Sequence, residues 1–123
     1  MPKAELEYIN EEDRVMKQRF IKDGKVAVVI APSFGAGWSS WNSALKETLA
    51  LHPAIVQMVL DGRREEIDED WLVDHFGEEF RYGYYGANDN LTVEWIPVGT
   101  KFLITEYDGA ESILTIDDLT LEA

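Results

Sequence analysis

Arg19-Phe20-Ile21-Lys22-Asp23-Gly24-Lys25-Val26-Ala27-Val28-Val29-Ile30-Ala31 is the stretch on which the fold turns. Asp-Gly supplies the two positive-φ positions of a type I′ turn between runs rich in β-formers, so residues 19–22 and 25–31 read as a hairpin. The second arm is apolar on both faces, the mark of a central strand. Pro32 ends it.

Downstream of Pro32 the periodicity changes. Ala44, Leu45, Thr48, Leu49 and Leu51 recur at helical spacing, with Ser40 or Asn42 as the cap, and predict a helix over 43–51. Pro53 opens a second helix whose apolar face is Ile55, Val56, Val59 and Leu60, ending at Gly62. Asp68 and Gly77 bound a third, with Ile67, Trp71, Leu72 and Phe76 as its buried stripe. Strands return over 91–96 and 101–107, joined by a tight turn at Pro97-Val98-Gly99-Thr100. Asp108-Gly109 then turns the chain into a last strand over 112–116. Residues 1–13 read as an irregular arm or a short strand. The order predicts a single α+β domain: an antiparallel sheet of about five strands, with two or three short helices between the second and third.

Composition supports a folded chain of 123 residues. Apolar residues make up 46%, with four Trp, five Tyr and five Phe, too apolar for a disordered acidic tail. No apolar run approaches the roughly 20 residues that span a bilayer. The start, Met1-Pro2-Lys3-Ala4-Glu5, lacks the apolar centre of a secretory signal, so a cytosolic location is expected. With no cysteine there is no disulfide framework and no thiolate chemistry. The 24 acids against 11 bases give a net charge of −13, which repels nucleic-acid backbone and anionic membrane. Nine of those acids lie between Asp61 and Glu79, beside only Arg63 and Arg64. Glu65, Glu66, Asp68, Glu69, Asp70 and Asp74 are therefore either a solvated face or a surface that docks on a basic partner or imitates a phosphate backbone.

Ser33-Phe34-Gly35-Ala36-Gly37-Trp38-Ser39-Ser40-Trp41-Asn42 follows the central strand and enters a helix, which is the layout of a dinucleotide fingerprint. Asp61, after the apolar run 55–60, stands where a ribose-binding acid would. Ser40 at the third glycine position and the hairpins that follow residue 90 argue against that fold. A weaker anion site stays open: free backbone N–H groups near Gly37–Ser40, with the hydroxyl or amide groups of Ser33, Ser39, Ser40 and Asn42 and the turn at Gly35, would hold a phosphate or carboxylate. Trp38 and Trp41 would offer faces on which a base stacks. The competing reading makes both indoles anchors in the core. Arg81-Tyr82-Gly83-Tyr84-Tyr85-Gly86-Ala87-Asn88 is the second candidate: Arg81 neutralises an anion while Tyr84 and Tyr85 cover it, or the tyrosines simply close the end of the sheet. If both loops meet at one end of the sheet, Trp38 and Trp41 face Tyr84 or Tyr85 across a gap for a planar ligand.

Enzymatic chemistry finds little footing. His52 and His75 lack a nucleophile elbow or a His-Glu-x-x-His frame. Asp70 with Asp74, and His75 with Glu79, share helical faces, but surface carboxylates explain them. No cofactor, no metal and no catalytic residue is expected.

The motif Gly35-Ala36-Gly37-Trp38-Ser39-Ser40-Trp41-Asn42 is similar to one in small bacteriophage and prophage proteins to which no activity is assigned. Val93-Glu94-Trp95-Ile96-Pro97-Val98-Gly99-Thr100-Lys101-Phe102 and Ile104-Thr105-Glu106-Tyr107-Asp108-Gly109-Ala110-Glu111 look like them too, so the likeness covers most of residues 25–113. The resemblance implies a phage origin and a place in the host cytosol. Short acidic phage proteins of that kind block host factors, some by sequestering nucleotide signals of host defence, others by imitating nucleic acid. The combined expectation is a non-enzymatic binding protein that sequesters a small anionic, nucleotide-like ligand between the two loops. The alternative is an inhibitor of a basic host protein acting through residues 61–79. Direct nucleic-acid or membrane binding is not expected, and a homo-oligomer is compatible with either reading.

Overall fold

Both Asp-Gly turns adopt the conformation their residues favour. In a computed structural model, which describes residues 18–115, Asp23 and Gly24 have φ of 52° and 76°, and Asp108 and Gly109 of 49° and 88°. Each pair closes an antiparallel hairpin, as type I′ geometry requires. The first joins β1 (Ile21–Lys22) to β2 (Lys25–Ile30), and the second joins β4 (Phe102–Tyr107) to β5 (Ala110–Thr115). β3 (Thr92–Pro97) pairs antiparallel with β2, Val28 opposite Glu94. The N-terminal arm expected over residues 1–13 lies outside the described residues.

The five strands form two sheets rather than one. β1-β2-β3 is a three-stranded sheet and β4-β5 a separate two-stranded one. The break falls after Pro97, where Val98 N–H bonds Gly24 carbonyl, Thr100 N–H bonds Pro97 carbonyl and Gly99 takes a φ of 89°. The chain thereby leaves the first sheet and lays the β4-β5 hairpin over one of its faces.

That arrangement explains why β2 is apolar on both faces. Ala27, Val29 and Ala31 point into the larger core, with Trp38, Leu49, Ile55, Val56, Leu72 and Leu91. Val28 and Ile30 point the other way, to Ala50, Leu51 and Ile96, with Phe102, Ile104 and Ile113 of the hairpin packed alongside. Burial of apolar area at about 25 cal/mol per Å² makes these two layers the main source of stability.

Three helices lie between β2 and β3: α1 (Lys46–Leu51), α2 (Pro53–Leu60) and α3 (Glu69–Phe76). Residues 55–60 are thus helical, which removes the second strand a dinucleotide fold needs. The expected first helix over 43–51 is split, its start being two 3₁₀ turns, Ser39–Trp41 and Ser43–Leu45, neither with a side-chain cap. His52 caps α2, its Nδ1 accepting Ala54 N–H at 3.1 Å, and Asp68 caps α3 by accepting Trp71 N–H at 2.9 Å. Among the described residues no helix is long and apolar enough to cross a membrane.

Candidate functional site

The glycine-rich loop is an anion nest, and the protein fills it itself. Glu111 on β5 is buried, 3% exposed. Its Oε2 accepts Trp38 N–H at 2.7 Å, Ser40 N–H at 3.0 Å and Ser40 Oγ–H at 2.5 Å. Oε1 accepts Ala31 N–H at 2.9 Å, and Glu111 N–H returns to Ala31 carbonyl at 2.8 Å. The carboxylate stands where a bound phosphate was expected and takes up two of the N–H groups of that stretch, those of Trp38 and Ser40.

The same contacts explain the glycines. Gly35 N–H bonds Asp108 carbonyl at 2.8 Å, tying the loop to the β4-β5 turn. A Cβ on Gly109 would collide with the Ala36 backbone, and one on Gly37 would lie 2.7 Å from Ser40 Oγ and the Trp41 ring. The motif lets two segments of this chain approach each other closely.

The structure does bring the two predicted loops together. Asn42 Nδ2 donates to Trp38 carbonyl at 2.7 Å and Tyr84 carbonyl at 2.9 Å, while its Oδ1 accepts Tyr84 N–H at 2.9 Å. Trp38 meets Tyr85 edge to face, ring centres 5.8 Å apart, and Trp41 meets Tyr84 at 6.3 Å. The expected gap between them is closed, because the rings touch. Trp38 is 0% and Tyr85 8% exposed, with Trp38 Nε1–H on Leu49 carbonyl at 2.9 Å and Tyr85 O–H on Phe80 carbonyl at 2.6 Å. Those two are core.

Arg81 is likewise engaged. Its guanidinium pairs with Glu78 at 2.9 Å, Asp70 at 3.4 Å and Glu69 at 3.5 Å. The Glu78 hydrogen bond, above all, raises it further above its ordinary value. Several acids of the 61–79 segment are therefore held by bases of the same segment or its neighbour. Glu66 pairs with Arg63 at 2.8 Å, and Glu69 also accepts Tyr82 N–H at 2.9 Å. Asp68 is a helix cap, while Glu65 and Asp74 are exposed.

A groove remains between the loops, beside the predicted rings. It encloses about 480 Å³ and is lined by Ser33, Phe34, Gly35 and Ala36 on one side and Gly86, Ala87, Asp89 and Asn90 on the other. Ser33 Oγ–H bonds Asn90 Oδ1 at 2.9 Å across it. Of the predicted residues only Ser33 and Gly35 line it. Phe34 is exposed and meets the exposed Tyr107 edge to face at 6.3 Å. Among the described residues the lining holds an acid and an aromatic face and no base, and Arg64 Nε–H donates to the Asp89 carbonyl at 3.1 Å.

Glu111, which fills the nest, escapes the sequence reading, as do Phe34, Asp89 and Asn90 of the groove. The signal for Glu111 was its position: with Ile113 it shares the inward face of a period-two strand, where a carboxylate must find donors. Compared with known proteins, the chain matches no family model, no curated protein and no solved structure.

Proposed function

We propose that this chain is a binding protein rather than an enzyme, and that it docks a basic segment of a partner protein in the groove between residues 33–36 and 86–90. The observation that carries the reading is the lining of that groove. Asp89 and Phe34 line it together on a chain of net charge −13, and the neighbouring Arg64 is held on the Asp89 backbone carbonyl at 3.1 Å, not on its carboxylate. A Lys or Arg side chain entering the groove would pair with the carboxylate and lie against the ring. The Phe34–Tyr107 and Trp41–Tyr84 pairs stand on or against the same loops and supply amphipathic contact area of the kind enriched at interfaces. Both histidines serve the fold: His52 caps α2, and His75 stacks on Trp71 at 3.9 Å with Nδ1 at 2.8 Å from Trp71 carbonyl.

The test is titration with an arginine-rich peptide, followed by amide chemical shifts. Saturable shifts are expected at Ser33, Phe34, Asp89 and Asn90. Asp89→Asn and Phe34→Ala should each weaken binding about tenfold, and added salt should weaken wild type more than Asp89→Asn. Shifts spread over residues 61–79 and unaffected by either substitution would move the working surface to the acidic segment.

A further inference from the structure

We propose a second site, independent of the groove: a cavity between α1 and β4 that takes a small amphipathic anion, a carboxylate or phosphate monoester on an apolar tail. The cavity encloses about 590 Å³, within the range of small-molecule pockets. Three features assign its ligand.

The first is charge. Arg19, Lys46 and Glu47 line the cavity, and their charges sum to +1 on a strongly acidic chain. Arg19 pairs with Glu47 at 3.1 Å, whereas Lys46 pairs with no carboxylate among the described residues. Its ammonium is the group left to meet an anion.

The second is a set of hydroxyls. Ser39 and Ser43 line the same wall, and Ser39 is 1% exposed. Neither hydroxyl hydrogen-bonds another described residue. No fully buried side-chain polar atom among the described residues lacks a partner, so the Ser39 hydroxyl keeps access to the cavity, where a ligand acceptor can meet it. Ser40 differs, since its hydroxyl is held by Glu111.

The third is the floor. Leu51, Phe102 and Ile104 border the cavity. An inorganic ion would leave that surface uncovered, and an uncharged hydrocarbon would leave Lys46 and the serines unused. A headgroup at Lys46 and Ser43, with a short tail running toward Ile104, uses both.

Sodium octanoate, octyl phosphate and inorganic phosphate are the probes, each titrated at millimolar concentration into the full chain and followed by amide chemical shifts. Saturable shifts at Ser39, Ser43, Leu51 and Ile104 are expected with octanoate or octyl phosphate. Lys46→Glu changes an exposed side chain, leaves the fold intact and should weaken binding at least about tenfold. Which headgroup binds tighter separates the carboxylate from the phosphate class. Three results would each overturn the proposal: no saturable shift with either octyl compound, inorganic phosphate binding as tightly as octyl phosphate, or octanoate binding unchanged in Lys46→Glu. Because the arginine peptide reads the other groove, failure there leaves this result interpretable.

Discussion

Trp38 with Tyr85, and Trp41 with Tyr84, are two aromatic pairs built from the same two segments of chain, and they meet opposite fates. Both meet edge to face, at 63° and 90° between ring planes. The inner pair is buried, while Trp41 is 38% and Tyr84 65% exposed. Polar tips account for the difference. Trp38 Nε1–H and Tyr85 O–H each find a backbone carbonyl inside the protein, so burying them leaves nothing unpaired. The outer rings find no such partner among the described residues. Asn42 sits between the pairs and joins the backbones of both loops. An indole or phenol satisfied internally is scaffold; one left open at the surface is available for contact.

The largest test of that contrast is paired truncation. Trp38→Ala empties a fully buried volume and breaks the bond to Leu49 carbonyl, and should cost about 3–5 kcal/mol in a denaturant titration. Trp41→Ala should stay within about 1 kcal/mol of wild type. Similar losses for the two would dissolve the distinction between inner and outer rings.

A smaller effect probes what holds the inner ring in place. Glu111 receives the N–H groups of Ala31, Trp38 and Ser40 and the Ser40 hydroxyl. In Glu111→Gln an amide NH₂ must face donors, so at least one is left unpaired, at about 1–3 kcal/mol. Trp38 fluorescence should report a loosened loop before global unfolding. A variant as stable as wild type would mean that Glu111 follows the loop and does not clamp it.

Much of this was legible in the residues. The two Asp-Gly turns, the doubly apolar β2 and the helical spacing of Ile55, Val56 and Val59 are local signals, and local geometry obeyed them. The approach of the 33–42 loop to the 81–85 loop also followed from their attachment to neighbouring strands. The split of the sheet did not, because it depends on how Phe102, Ile104 and Ile113 cover Val28 and Ile30. The occupant of the nest was hidden for the same reason. Seventy-three residues separate Trp38 from Glu111, and a glycine-rich loop has the same local sequence whether its anion is a ligand or a glutamate.

The finest test addresses the inner pair through one proton. Burial first, and the Glu69 carboxylate second, raise the Tyr85 phenol above its ordinary value of 10.0. Unfolding returns it to that value, so above about pH 10 the native state holds a proton that the unfolded state releases. The associated stability is present in full below pH 10 and is lost as pH rises through the raised native value. Tyr85→Phe removes both the hydrogen bond to Phe80 carbonyl and this titration. At neutral pH it should be less stable than wild type by about 1 kcal/mol. As pH climbs past 10, wild type should fall toward the variant, and the two stability curves should converge. Tyr84→Phe, which removes an exposed hydroxyl, should cost less than about 0.5 kcal/mol at neutral pH. Denaturant midpoints across the alkaline range decide the matter. A gap between wild type and Tyr85→Phe that stays constant with pH would show that the phenol is as accessible to water as the outer ring, and the contrast between the two pairs would fail at its most sensitive point.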